Sequence, residues 1–439
     1  MDRINVGLIG FGTVGTGLVR ILQEKAKLLE ERLGISIVLK RIADLDVTKD
    51  RGIKVNPAIL SSKASDVIED PEIAIVVELI GGLEPARAFI LKAIGKGKHI
   101  VTANKALLAV HGPEIFKAAD ENGVDIGFEG SVGGGIPIIR SLKEGLVANK
   151  IRVIFGILNG TSNYILSEMT HQGLKFQEVL KKAQELGYAE ADPTLDIEGI
   201  DTAHKLSILL SLAYGVQVRM EDIYTEGISA VAPMDVEYAK ELGYHIKLLA
   251  IAKSDGGPIE ARVHPTLLPA DHLLSTVSGP FNAIFVKGDA VGSTLFYGAG
   301  AGMMPTASAV VSDLVDICRN IRLGVSRRVP LLSCQPAHLR EGEIKNIHDI
   351  TSTYYLRFTV VDRPGVLSRI SGILGDLDIS IASVIQKGRR IEKAVTIYMV
   401  THEAREKNMQ KALQVIDRLP AIVDKTVLLR IEDPSDFGE

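Results

Sequence analysis

Between Ala183 and Lys205 the chain reads AQELGYAEADPTLDIEGIDTAHK, in which Glu190, Asp192, Asp196, Glu198 and Asp201 gather ahead of one lysine. Asp192-Pro193 and Gly199 are turn-forming points, and a helix begins after them. Asp201 and Lys205 are four apart, so on that helix they share one face about a turn from each other. In most chains this would be a solvated acidic loop with a surface ion pair. Here the helix continues as LSILLSLAYG, apolar almost all round and therefore buried, which leaves Lys205 at its polar start. The stretch is a candidate wall of an active site.

Other stretches carry chemistry-bearing residues. Gly10-Phe11-Gly12-Thr13-Val14-Gly15 is GxGxxG, placed between a strand at 4–9 and a helical pattern over 14–33. In that context glycines allow the tight turn and a close backbone approach, while free amides at the helix start face a pyrophosphate. A strand over 35–43 ends where such folds read the adenosine ribose: an acid there suits a hydroxyl, a base a 2'-phosphate. Lys40 and Arg41 precede Asp44 and Asp46, a balance that leans slightly to NADP and leaves NAD open. Lys105 follows Thr102-Ala103-Asn104, just past a strand at 99–101, on the edge where open parallel sheets place their ligands. The segment from Glu129 through Gly133-Gly134-Gly135 to Pro137 departs from regular structure. Its carbonyls and Glu129 form an oxygen-only set suited to a hard cation, although a plain crossing between domains explains it too. Asn159-Gly160-Thr161-Ser162-Asn163 offers backbone and hydroxyl donors to a pocket, or a cap to the next helix.

The elements that must position these residues alternate strand and helix through 73–79, 85–95, 99–101 and 124–128, the pattern of a doubly wound parallel sheet. A strand at 151–158 and an amphipathic helix at 176–186 then lead into the acidic stretch. Strand-like runs at 246–252, 259–263 and 283–286 indicate a second, antiparallel or mixed sheet. His264 and His272 lie near it without metal-ligand spacing and read as structural or solvated. GSTLFYGAGAG at 292–302 reads as a second glycine-rich turn, and the helix after it, 306–321, would close a cofactor cleft against the first domain. Residues 327–352 read as a linker. A strand at 354–361, helix 366–377, strands 379–386 and 394–400, helix 404–419 and strand 427–431 form a βαββαβ, ferredoxin-like unit. The expected domains are a Rossmann-type NAD(P)-binding domain at 1–130 plus about 301–326, an α+β catalytic and dimerisation domain at 131–300, and a regulatory domain at 353–432.

At 439 residues, with 46% apolar and 24% charged residues, the chain is long enough for two or three globular domains. A net charge of -4 and the lack of a basic run give no electrostatic case for nucleic acid. No apolar run reaches the roughly 18 residues of a membrane span. The start MDRINVGLIGFG lacks signal-peptide zones, and two cysteines, Cys318 and Cys334, fit a reducing compartment, so a cytoplasmic location is expected.

The pattern A-x3-G-Y-A-E-x-D-P-x2-D-x2-G-x-D-x3-K from Ala183 to Lys205 resembles the homoserine dehydrogenase signature without a departure. The stretches TANKALLA at Thr102, EGSVGGGIPII at Glu129 and NGTSNYIL at Asn159 are similar to segments of that family, and VDRPGVLSRISGIL from Val361 resembles an ACT domain. The resemblance spans essentially the whole chain. It implies reversible, NAD(P)H-dependent reduction of L-aspartate 4-semialdehyde to L-homoserine. Lys205 is then the proton donor, Lys105 bridges cofactor and substrate, and Glu190 anchors the substrate ammonium group. Asp201 makes a second polar contact near the reacting end, Asp196 holds the loop, and Gly160 and Thr161 line the substrate. By resemblance cofactor contacts fall on Phe11, Thr13, Val14, Lys105 and Gly302, and the glycine turn and the end of the second strand add Gly10, Gly12, Gly15 and Arg41. Glu129 with the backbone oxygens of Val132, Gly134 and Ile136 matches a site for a monovalent cation, Na⁺ or K⁺. The mixed sheet of the middle domain and the edge of the ACT unit are candidate dimer surfaces, so a homodimer or homotetramer is expected, and the resemblance implies an amino-acid effector such as L-threonine at the ACT domain. Two other readings compete: an NAD(P)-linked dehydrogenase of another small aldehyde, and an amino-acid sensor without turnover. The sensor reading expects loss of Lys105, Lys205 or Glu190, and all three are present.

Overall fold

A computed structural model describes residues 3–386 and 394–432. The first sheet holds β1 (Arg3–Ile9), β2 (Ser36–Ala43), β3 (Leu60–Ser61), β4 (Ile75–Glu78), β5 (His99–Thr102) and β6 (Ile126–Gly127), all parallel, in the order β3-β2-β1-β4-β5-β6. Val6, Leu8, Val77 and Val101 are fully buried because helices cover both faces, and each contributes about 1.5–3 kcal/mol by leaving water. The strand order reverses between β1 and β4, the crevice where such sheets receive ligands at their carboxyl ends. The helix expected over 14–33 is two, Thr13–Glu24 and Ala26–Leu33, broken at Lys25 with φ -112° and ψ 14°. The break turns Leu33 into the same core as Leu18 and Leu22. Helix Met303–Leu323 returns to this sheet from far along the chain, adding Val310, Leu314, Ile317 and Cys318 to that core. Gly17 permits the approach, since a Cβ there would stand 2.7 Å from the Met303 carbonyl oxygen.

The second sheet begins with β7 (Ile151–Ile157), β8 (Tyr244–Lys253), β9 (Glu260–Pro269), β10 (Phe281–Gly288) and β11 (Gly292–Ala299), antiparallel in the order β11-β10-β7-β8-β9. Here the expected glycine turn at 292–302 is corrected. Residues 292–299 form a full hairpin strand with β10, from Phe281↔Ala299 to Gly288↔Gly292. Ser293 to Tyr297 supply the β-branched and aromatic side chains a strand favours, and the turn proper starts only at Gly300.

The C-terminal unit comprises β12 (Thr351–Val361), β13 (Ile381–Gln386), β14 (Ala394–Thr401) and β15 (Ile422–Ile431), antiparallel in the order β15-β12-β14-β13, with helices Val366–Asp376 and Glu406–Ile416. The second helix is shorter than the pattern at 404–419, because Ala404 and Arg405 pair instead with Ser352 and Thr351. The unit is also joined to the rest by strand pairing. β15 runs parallel to the end of β9 through Thr266↔Arg430 and Leu267↔Ile431, so the two sheets are continuous. The irregular segment 327–352 is pinned as well. Arg340 and Glu341 pair with Val216 and Gln217, the Lys345 amide donates to the Ile259 carbonyl at 2.8 Å, and the Arg327 amide donates to Asp125 at 2.6 Å.

Candidate active site

Helix Ile200–Tyr214 starts at Gly199, whose φ of +80° suits glycine, and it carries Asp201 and Lys205 on one face. Lys205 is buried, and its ammonium group donates to Asp201 Oδ2 and to the Leu158 carbonyl at the end of β7, each at 2.6 Å. Lys105 arrives from the first sheet as the opening residue of helix Lys105–Asn122, and its Nζ makes an ion pair with Asp201 Oδ1 at 2.8 Å. One carboxylate therefore bridges two lysines from different domains. Burial by itself would raise the Asp201 pKa, but the charges of Lys205 and then Lys105 hold it well below the usual carboxylate range. Burial lowers the Lys205 pKa against the opposing pull of Asp201. At Lys105 burial also works downward, and Asp201 overrides it to leave the pKa raised.

The acidic stretch closes around this pair. Asn159 caps helix Gly160–Gln172 by accepting from the Ser162 amide at 2.8 Å, while its Nδ2 donates to Asp196 at 2.7 Å and to Asp201 at 2.9 Å. Asp196 is thus tied into the loop, and burial raises its pKa. Thr161 is buried and donates to the Tyr188 carbonyl at 2.5 Å, whereas Gly160 backs onto Pro280. Glu190 is exposed, with its charge felt at Lys105.

On the other side of the cleft, Gly10 has φ +98°, and a Cβ there would lie 2.6 Å from the Leu79 backbone. A Cβ on Gly15 would stand 2.3 Å from the Gly10 carbonyl oxygen, while nothing lies within 4 Å above Gly12. Thr13 and Val14 open the helix, whose N-terminus has no side-chain cap and no acid in its first turn. Close-packed glycines below and open space beside free amides above fit a dinucleotide pyrophosphate. Gly302, with φ +123°, starts helix Met303–Leu323. At the end of β2, Asp44 accepts from the Phe11 amide at 2.5 Å and from Arg51 at 3.1 Å. Arg41 donates to the Ala58 carbonyl at 3.3 Å, and Lys40 is engaged by Asp70 and Glu72 at 2.9 and 2.6 Å.

Glu129 lies buried beyond β6. Its two carboxylate oxygens accept from the Ile139 and Arg140 amides at 2.9 Å each, and burial raises its pKa. Its own amide donates to Asp313, pushed up to about 8 by burial and by the charge of Glu129. The loop through Val132 and Gly134 turns back on itself, the Ile136 amide donating to the Gly133 carbonyl at 2.9 Å and the Ile136 carbonyl accepting from the Ile138 amide at 2.8 Å. His264 is buried against Arg262 and Thr266, and His272 caps Leu274, both structural. Among the described residues no three His, Cys, Asp or Glu side chains are grouped as a metal site.

Sequence reasoning passed over three residues that shape the cleft. Glu78, fully buried at the end of β4, accepts from Thr102 at 2.7 Å and from the Ile80 amide at 2.8 Å. Asn104 caps the helix of Lys105 and donates to the Gly82 carbonyl at 2.7 Å. The signal for both was a polar residue closing an apolar strand at a sheet's carboxyl edge. Arg51 stacks over the Phe11 ring at 4.6 Å and donates to the Phe11 carbonyl, and no local pattern marks it.

A parallel sheet in this order, a glycine turn at its switch point and a carboxylate-bridged lysine pair across the cleft define an NAD(P)-dependent oxidoreductase. Residues 10–129 match the family profile "Homoserine dehydrogenase, NAD binding domain", residues 137–315 match "Homoserine dehydrogenase", and residues 354–421 match "ACT domain". The homoserine dehydrogenase of Neisseria gonorrhoeae is 46% identical over 436 residues, covering 99% of this chain and 100% of that protein. A crystal structure of a homoserine dehydrogenase from Thiobacillus denitrificans superposes with a TM-score of 0.92 at 50% identity, covering 99% of each chain. A hyperthermophilic archaeal homoserine dehydrogenase in complex with NADPH superposes with a TM-score of 0.60 at 28% identity, over 72% of this chain and 97% of that one. The chain belongs to the homoserine dehydrogenase family and carries its activity, the reversible interconversion of L-aspartate 4-semialdehyde and L-homoserine, together with an ACT domain.

Proposed function

We propose that Lys205 is the proton donor of this reaction. The observation that carries the assignment is the Asp201 carboxylate held at 2.6 Å from Lys205 and 2.8 Å from Lys105. In reduction the bound nicotinamide supplies a hydride to the aldehyde carbon, and the negative charge collects on oxygen. Lys205 gives that oxygen a proton and becomes a neutral amine, the form its burial favours. Lys105 keeps its proton through Asp201 and holds positive charge beside the same oxygen from the cofactor side. In oxidation the neutral Lys205 takes the proton back. Asp201 holds both ammonium groups, Asp196, Gly160 and Thr161 shape the pocket, and Glu190 anchors the substrate ammonium group.

Gly10, Phe11, Gly12, Thr13, Val14, Gly15, Arg41, Lys105 and Gly302 hold the cofactor. NADP is favoured, on the basic Arg41 and Arg51 near the ribose end, and NAD is accepted beside Asp44. The NADPH bound by the archaeal relative supports this choice. The all-oxygen set of Glu129, Val132, Gly134 and Ile136 suits Na⁺ or K⁺, which would stiffen the loop without entering the chemistry. The domains run over 1–130 with about 301–326, 131–300 and 353–432. The ACT domain takes an amino-acid effector, with L-threonine the first candidate. Among the described residues β11 and β13 are the two end strands of the long sheet, which supports a homodimer or homotetramer. Among the described residues no helix is long and apolar enough to cross a membrane. The free Cys318 and Cys334 fit a reducing compartment, and on that we assign the protein to the cytoplasm.

The test is a homoserine oxidation assay with NAD⁺ and NADP⁺ in parallel, repeated with threonine. We expect turnover with both, a higher kcat/KM with NADP⁺, and inhibition by threonine. Silence with both cofactors would sink the assignment, and indifference to threonine would remove that effector.

A further inference from the structure

Arg430, at the end of β15 in the ACT unit, is the largest fully buried side chain among the described residues. Its Nε and one terminal nitrogen donate to the two oxygens of Glu406 at 2.9 and 2.6 Å, which already balances its charge within the unit. Its other terminal nitrogen reaches out of the unit and donates to Glu226 Oε2 at 3.0 Å. The guanidinium carbon stands 4.9 Å over the ring of Tyr224, and the Tyr224 hydroxyl donates to the same Glu226 oxygen at 2.9 Å.

Glu226 belongs to a strap, residues 224–229, laid along β9. Tyr224 and Thr225 pair with Arg262 and Val263, and the Glu226 amide donates to the Val263 carbonyl at 2.8 Å. The strap then grips the end of the acidic stretch. The Ile228 amide donates to the Ile197 carbonyl and the Ser229 hydroxyl to Glu198, each at 2.8 Å. There is no slack between them: a Cβ on Gly227 would lie 2.5 Å from the Ile197 carbonyl oxygen, and one on Gly199 would lie 3.2 Å from Thr225. Gly199 is the cap of helix Ile200–Tyr214, and Asp201 follows two residues later.

We propose that Arg430, through Glu226, is a positioning residue for the Asp201–Lys205 pair, so that the last strand of the ACT unit sets the start of the helix that carries proton transfer. This rests on the reading of Asp201 and Lys205 as the proton-transfer pair. A packed network of this kind changes coupling when it is cut even though no member touches substrate. Cutting it at Glu226 spares the fold, because Glu226 is partly exposed and Arg430 keeps Glu406.

The experiment compares Glu226→Gln, Arg430→Lys and the double variant with the full-length wild type, reading kcat, both KM values and melting temperature. Glu226→Gln should lower kcat about 3- to 10-fold, leave KM for the nicotinamide cofactor unchanged, and keep the melting temperature within about 2 °C. Lysine at 430 can keep Glu406 but cannot span both carboxylates, so that variant should lose a similar factor, and the double variant no more than either alone. Unchanged kcat in folded Glu226→Gln overturns the proposal, as does a kcat loss that multiplies in the double variant. If Arg430→Lys fails to fold, Glu226→Gln decides alone. A wild type inactive on homoserine would instead fail the reading of the site itself.

Discussion

Asp201→Asn tests the site at the atom where both lysines meet. The substitution keeps the shape of the side chain and its contact with Asn159 while removing the charge 2.6 Å from Lys205 and 2.8 Å from Lys105. At an effective dielectric of about 20, an ion pair at these distances is worth roughly 6 kcal/mol. The full amount is not lost, because a lysine can shed its proton. Even an ordinary lysine becomes neutral at pH 7 for about 5 kcal/mol, and Lys205 needs less because burial already lowers its pKa. In the variant the Lys205 pKa therefore falls further, which depletes the acid needed for aldehyde reduction at neutral pH. We expect kcat for reduction to fall about 10²- to 10⁴-fold at neutral pH. Oxidation needs the amine, and its pH profile rises as Lys205 loses its proton, with a wild-type inflection below the ordinary lysine value of 10.5. In Asp201→Asn that inflection should move further toward acid, since the charge that raises the pKa is gone. Reduced-nicotinamide absorbance followed in both directions across neutral and alkaline pH measures these effects. Equal losses in both directions with an unmoved inflection would refute the reasoning.

Lys205→Ala should lower kcat about 10²-fold or more in both directions, and an unchanged kcat removes Lys205 from its role. Glu190→Gln should act mainly by raising KM for homoserine, and an effect confined to the cofactor KM would contradict its assignment. Gly15→Ala places a Cβ 2.3 Å from the Gly10 carbonyl oxygen, so the turn must shift; kcat/KM for the cofactor should drop on the order of 10²-fold, checked independently by NADPH binding fluorescence without substrate. In acid titration, Asp201 has a depressed folded pKa, so its stabilisation is present above the ordinary value of 3.8 and is lost as pH falls below it. Wild type should lose melting temperature faster than Asp201→Asn over that range.

What the sequence by itself determined is local. The apolar run into Gly10–Gly15 specifies a strand, a tight turn and a helix start, because only glycine tolerates φ +98° at Gly10 and the close contact at Gly15. The spacing of Asp201 and Lys205 places them on one helical face, and the apolar residues after them bury that helix. The ferredoxin-like order of the C-terminal unit is likewise written in strand and helix periods. Tertiary structure decided what depends on distant partners. Lys105 and Asp201 lie 96 positions apart in the sequence, and only the packing of the two sheets brings their charges to 2.8 Å. Residues 292–299 look like a glycine turn until β10 supplies hydrogen bonds along their whole length. The segment 327–352 is polar text whose backbone finds partners on three different elements. The same holds for the acidic stretch. Its sequence yields an i,i+4 pair at the start of a buried helix, and contact with Leu158, Asn159 and Lys105 makes its carboxylate the bridge between two lysines. A pKa depends on solvent exclusion and on charges within a few ångströms, and both are set by residues far away in the chain.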